Sequence, residues 1–560
     1  VTATATTGRQ QMKSPGNMLR AAVEGYAGGR SYAPGETLTV HCTADVPSFD
    51  IEIARCGRTR EVVWTAKGIE GHRREIPADV GARGCGWPAS FELVLPSDWR
   101  PGYYEVSFEW PGKDDRGLNL PAFFVLRASP ERRSPILLLL TDTTYNAYND
   151  WNHSLSLYTG GARVSFERPF APGFLTRPPD LRLRAATAMG TFDPAFRTQR
   201  ATVDAHRLSG WCYGAGFYQW ERPFITWAEE EGIEFDFAVS SDLEFRPEVL
   251  DGRQLVVSVG HDEYWSWAMR DSMEEFITGG GNVMFLTGNA VYWQVRFEDE
   301  GRVMVSYKYA APREDPLRGT ERQSGMWSDS VVGRPENHLT GVSFTRGGYV
   351  RAGHGVARGP GGYLVWRPDH WVFEGTDVRY GDLIGAEHGV VGYEADGCEL
   401  TYGEDGLPVP THRDGTPESF EILATSPARL WANEDLPPTN SGVDGDLSDL
   451  GYTQWRVFGV DPRITPESEM EPRVRALGHG NAVMGVYTRG GTVFTTGCTD
   501  WVHGIEGRDP IIVAITRNLM ARLGGATRWP GSVEDGAGEA RAPSAEAQAP
   551  PGLTAGAETG

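Results

Sequence analysis

Cationic side chains are scarce for the size of the chain: 53 Lys and Arg stand against 75 Asp and Glu, a formal net charge of −22. Holding a phosphate backbone needs a basic footprint, so this balance argues against a nucleic-acid binder and fits a well-hydrated cytosolic surface. Cysteine is sparse as well. Cys42, Cys56, Cys85, Cys212, Cys398 and Cys498 are scattered without a CxxC pair, which points away from zinc knuckles and a disulfide framework. One bridge among Cys42, Cys56 and Cys85 is left open, and the other three are read as buried thiols. No apolar run reaches the ~18 residues of a membrane span. Val1–Gln11 lack the basic start and apolar stretch of a secretion signal, so the expected location is the cytoplasm. The GxSxG elbow of serine hydrolases and the two-histidine HExxH motif are missing. Gly279–Gly281 lack the Lys-Ser/Thr that would complete a phosphate loop, and read as a helix stop.

Glycine and tryptophan are plentiful, 70 and 18 of 560 residues, and favour ordered loops between short elements. A chain this long exceeds one hydrophobic core, and about three or four domain-sized units are the starting expectation. Residues 1–30 read as an arm carrying a short helix over Asn17–Ala27. From 31 to 130, short period-two runs such as Phe49–Ile53 and Tyr103–Trp110, broken at Gly and Pro, predict a small β-sandwich. The pattern then changes. Ile136–Thr141 is a continuous apolar run, the mark of a strand covered on both faces. Ile233–Val239, Leu255–Val259 and Val283–Leu286 follow, with helices over Pro223–Glu231 and Ser266–Ile277. Strand, helix, strand at these intervals predicts an α/β domain over 134–528. Its central sheet should be mostly parallel with helices on both faces, like glutamine-amidotransferase or flavodoxin folds. Residues 300–475 read as long loop insertions with isolated strands at Tyr363–Trp366 and Trp371–Phe373. Strands at Ala482–Tyr487 and Thr492–Thr496 and a helix over Ile511–Leu523 return to the sheet. The Gly, Ala, Glu and Pro of 531–560 predict a disordered tail.

Ligands in such sheets bind beyond the carboxyl ends of the strands. Four strand ends gather the polar and aromatic residues: Asp142–Asn149, His261–Tyr264, Thr287–Asn289 and Cys498–His503. His261, Asp262 and Glu263 could bind a metal or transfer protons. The plainer reading has Asp262 and Glu263 capping the helix that starts near Ser266. Tyr145 and Tyr148 are either turn aromatics or phenols that ligate a hard trivalent metal, and Tyr218 could fill the same role from a neighbouring strand end. Cys498 and His503 make only a weak thiol–base pair.

Thr144–Asn149, Ser156-Leu157-Tyr158, Gly260–Ser266, Gly288–Trp293, Arg334–Asn337, Gly392–Asp396 and Thr499-Asp500-Trp501 together resemble the large subunit of the N,N-dimethylformamidase family over about 135–525. The resemblance implies an iron-dependent amidohydrolase. Its mononuclear Fe(3+) would be held by two tyrosines and a glutamate: Tyr148 (with Tyr145 in reserve), Tyr218 and Glu263. Iron would polarise the carbonyl of a small N-substituted, formamide-like amide and activate water. His261 or Glu394 would move the protons, and Asn289 would hold the oxyanion. Homo-oligomerisation and a small partner subunit stay open. So do two other functions: a non-catalytic carbohydrate- or partner-binding protein, and the same iron site acting on another amide or hydrazide.

Overall fold

The computed structural model describes residue 18 and residues 20–113, 120–178, 201–350, 359, 361–432 and 447–525. The first part of the N-terminal arm and the tail 531–560 lie outside the described residues. Toward the N-terminus a three-stranded sheet (Val23–Ala27, Thr37–Ala44, Phe91–Val94) and a five-stranded sheet (Ser31–Tyr32, Ala122–Leu126, Gly102–Glu109, Ser48–Cys56, Arg60–Glu70, in spatial order) share one core. Leu38 and Val40 from the first sheet meet Ile51, Ile53, Val106 and Phe124 from the second. Alternation decides which residues enter: Thr37–Ala44 is buried at Leu38, Val40, Cys42 and Ala44 and more open between them. The helix expected over Asn17–Ala27 is instead the strand Val23–Ala27, paired antiparallel from Val23↔Ala44 to Ala27↔Val40. Long-range pairing overrides a weak local preference there. All six cysteines are free thiols and buried, so the bridge left open among the first three is not formed.

The larger part is α/β, with parallel and antiparallel pairing mixed in one nine-stranded sheet. Asp236–Val239, Ile136–Leu140, Leu255–His261, Asn282–Gly288 and Gly491–Thr495 run parallel to one another, in that spatial order. Beyond them Gly480–Arg489, Glu421–Ala428, Tyr363–Val365 and Leu383–Ile384 are antiparallel. The expectation of a mostly parallel sheet is therefore corrected to one half of it. Gly480–Arg489 and Gly491–Thr495 are separated by Gly490 alone, and a connection that tight joins only antiparallel strands. Trp371–Phe373 is also no strand but a single 3-10 turn, whose Val372 carbonyl accepts from the Asn518 carboxamide at 3.0 Å.

Helices cover both faces. Along the apolar run, Leu137 and Leu139 join the core under helix Trp267–Thr278, with Met269, Met273 and Ile277. Ile136, Leu138 and Leu140 join the opposite core with Phe224 and Ile225 of helix Glu221–Glu230 and Ile515 and Leu519 of helix Pro510–Gly524. Burial on two sides explains why the strand reads as an unbroken hydrophobic run. Among the described residues, no helix is long and apolar enough to cross a membrane.

Candidate active site

The strand Leu255–His261 is wholly buried and extends two residues past its apolar run, ending on a polar residue. Parallel pairing sets His261 opposite Gly288, so both strands finish at one level. Just before His261, Gly260 has φ +82 and lies flat against Trp220, where a Cβ would meet that side chain at 2.5 Å. Gly288 lets Glu394 approach as closely, since a Cβ there would stand 2.4 Å from the Glu394 carbonyl. The helix after this corner is capped by Ser266, whose hydroxyl accepts from the Met269 amide. Asp262 and Glu263 are thus free of capping. Asp262 instead accepts from Ser258 (2.7 Å) and the Trp265 indole (2.9 Å), and burial lifts it to about 6.

His261 is the centre of the constellation. Its Nδ1 sits 2.7 Å from the Gly214 carbonyl, which fixes the ring and makes Nδ1 the donor. Nε2 lies 2.9 Å from Oε2 of Glu394 and 3.3 Å from Oε2 of Glu263. Burial opposes a charged imidazole; Glu394 and then Glu263 outweigh it, and His261 rises to about 9. Both contacts have ion-pair distances without the alignment of a hydrogen bond. Among the described residues, His261 Nε2, Glu394 Oε2, Thr287 Oγ1 and Asn289 Oδ1 are buried polar atoms with no hydrogen-bond partner. The first two meet each other only as an ion pair, whereas Thr287 Oγ1 and Asn289 Oδ1 are left without a partner, and such atoms are expensive to bury unmatched.

Glu263 is held from several sides. Oε1 accepts from the Trp293 indole at 2.7 Å, Oε2 from the Tyr148 hydroxyl at 3.2 Å, and both oxygens from the Tyr158 hydroxyl at 3.0 and 2.9 Å. Tyr264 donates in turn to Tyr158 at 2.8 Å. Burial, followed by the negative charge of Glu263, pushes the Tyr148 and Tyr158 phenols well above their usual range, so they stay protonated donors. Lys308 lies over the Tyr158 ring at 3.4 Å from its centre. Burial pulls its ammonium down to about 8, against the raising effect of Glu263, Glu394 and Asp449.

Of the residues expected at the site, the structure brings Tyr148, His261 and Glu263 together, adds Glu394, and turns Asn289 beyond the end of its strand. Tyr218 is elsewhere: its ring packs under the guanidinium groups of Arg222 (4.7 Å) and Arg177 (5.5 Å). Tyr145 donates to Glu221 at 2.7 Å. The second phenol on Glu263 belongs to Tyr158, which the Ser-Leu-Tyr segment contained but no strand-end rule selects. Lys308, in a glycine- and proline-rich stretch, had no sequence signal. Cys498 donates to the Val390 carbonyl, and burial pushes its thiol up to about 12, so it forms no reactive pair with His503.

A sequence model described as "N,N-dimethylformamidase beta subunit-like, C-terminal" matches residues 50–512. The chain belongs to this family. It is 26% identical over 402 residues to the N,N-dimethylformamidase beta subunits of an Alcaligenes species and of Paracoccus aminophilus, a match covering 65% of this chain and 48% of each relative. The chain thus spans about half the length of the curated relatives it matches. Among the described residues, no three or more His, Cys, Asp or Glu side chains form a group that could hold a metal ion. That finding overturns the mononuclear Fe(3+) on Tyr148, Tyr218 and Glu263, the metal-binding assignment and the iron-dependent amidohydrolase built on it. What the site contains is two protonated phenols, an indole and a buried ion pair converging on one carboxylate.

Proposed function

We propose that this chain carries an acid–base site that receives a small uncharged amide and adds water to its carbonyl through side chains alone. The carrying observation is the buried imidazole between Glu394 and Glu263, with unmatched polar atoms beside it. His261 and Lys308 balance Glu263 and Glu394 in charge, which favours a neutral guest over an ion. The name of the two relatives, N,N-dimethylformamidase, supports a formamide-class substrate. The parallel half of the sheet, with its site at the carboxyl ends, supports the flavodoxin-like reading of the fold.

In this reading Glu394 Oε2 takes a proton from water as the water oxygen bonds to the carbonyl carbon. The Asn289 carboxamide donates to the oxyanion that forms. His261 Nε2 then gives its proton to the amine nitrogen as the C–N bond breaks, and recovers one from Glu394. Tyr148, Tyr158 and Trp293 hold Glu263 in place beneath the imidazolium. The test is release of formate and amine from formamide, N-methylformamide and N,N-dimethylformamide, followed by NMR. Turnover by the wild type and a roughly 10²–10⁴-fold loss in His261→Ala support the proposal. No release from any of these amides overturns it.

A further inference from the structure

We infer that Asp396 is a positioning residue: its carboxylate clamps two successive backbone amides and thereby sets the Asn289 side chain in the site. Strand Asn282–Gly288 ends opposite His261, and the chain then turns through Asn289 at φ +49 and Val291 at φ +55. Left-handed backbone costs a non-glycine residue roughly 1–2 kcal/mol, so two such residues within three need an external hold. Asp396 supplies it. Oδ1 accepts from the Asn289 amide at 2.8 Å and Oδ2 from the Ala290 amide at 3.0 Å. The Val291 amide is tied separately to the Asp262 carbonyl at 2.8 Å.

The placement of Asp396 links this turn to the acid–base pair. In strand Glu394–Gly397 side chains alternate, so Glu394 and Asp396 share one face. One carboxylate meets His261 and the next, two residues on, meets the turn that carries Asn289. The strand is itself pinned: the Asp396 amide donates to the Gly497 carbonyl at 3.0 Å, and the Thr499 amide to the Glu394 carbonyl at 3.1 Å. Asp396 is 1% exposed, and no Lys or Arg among the described residues forms an ion pair with it. Burial lifts the Asp396 carboxyl to about 8 against the pull of the Ala290 and Asn289 amides, so what holds the turn is a pair of acceptor oxygens aimed at two successive amides, not a paired charge. Asparagine in its place would turn an NH2 donor toward one of the two amides, releasing that half of the clamp at almost unchanged volume.

The kinetic arm and the formamide titration rest on the proposed acid–base reading; the protection of the Asn289 and Ala290 amides does not. In a cycle of Asp396→Asn, Asn289→Ala and the double variant, we expect each single change to lower kcat on formamide at least ~10-fold with KM little changed. The double variant should be no slower than the slower single one. Losses that multiply overturn the inference, because Asp396 would then act independently of Asn289. In the second arm, protein labelled with 15N-asparagine and 15N-alanine is titrated with formamide. The wild type should show exchange-protected Asn289 and Ala290 amides and a formamide-dependent shift of the Asn289 carboxamide, which D396N weakens at least ~10-fold. Should D396N not fold, unprotected 289 and 290 amides in the wild type overturn the clamp, and protected ones with the carboxamide shift support it. A wild type that turns over no amide defeats the acid–base reading alone, and the protection of the Asn289 and Ala290 amides, lost in D396N if the clamp is real and kept if it is not, then decides.

Discussion

Replacing Glu394 by glutamine removes one charge from the site and keeps its shape. In the wild type, burial works against the imidazolium of His261, yet Glu394 at 2.9 Å and Glu263 at 3.3 Å hold it near a pKa of about 9. At an effective dielectric of about 20, unit charges 2.9 Å apart attract by roughly 6 kcal/mol, equivalent to about 4 pKa units. Losing that attraction should bring His261 below ~7. The consequence for folding has a definite sign. A base whose folded pKa lies above its unfolded value of 6.5 contributes its full stabilisation below pH 6.5 and loses it as pH rises through about 9. The gap corresponds to about 3 kcal/mol, which E394Q should forfeit. The assay is a pH titration of 15N-histidine-labelled wild type and E394Q by NMR, with the His261 resonance identified from H261N. Urea unfolding at pH 6 and pH 9.5 completes it. An imidazole that still titrates near 9 in E394Q, or an unchanged difference in stability between the two pH values, refutes the electrostatic reasoning.

Tyr158→Phe deletes the donor to both Glu263 oxygens and the acceptor for Tyr264, leaving buried groups unmatched. It should cost about 1–3 kcal/mol in urea unfolding, and an unshifted midpoint would remove Tyr158 from the network. Gly260→Ala places a Cβ 2.5 Å from Trp220 at φ +82, so a loss of roughly 1–3 kcal/mol and an altered near-ultraviolet tryptophan signal are expected. Native stability in that variant would show that the corner relaxes freely. Dialysis against a strong chelator should leave amide turnover unchanged, since the proposed proton steps run through side chains. Loss of rate that returns when one metal is added back would defeat that mechanism.

The elements that were legible in the sequence are those whose pattern is imposed locally. Ile136–Leu140 is apolar at every position because helices bury both its faces, and that cause is visible in five consecutive residues. His261 could be picked out because a strand buried on both sides has no other reason to end on an ionisable group. The direction of the distal strands was not legible, because it turns on Gly490 closing a hairpin between two runs that look like any other buried strands.

The second phenol failed for a related reason. Tyr218 and Tyr158 are equally aromatic and equally near a turn, but only Tyr158 reaches Glu263, and that proximity spans 105 residues of sequence separation. Lys308 is more extreme: it opens a 3-10 turn, Lys308–Ala310, at φ +49, and its ammonium comes to lie over the Tyr158 ring. Asp396 stands two residues from Glu394, and what it does is set by a turn more than a hundred residues away. Residues that end a strand announce themselves by breaking a hydrophobic pattern. Residues that hold such a strand end in place have no pattern to break, so the supporting half of a buried site becomes visible only when distant segments are assembled.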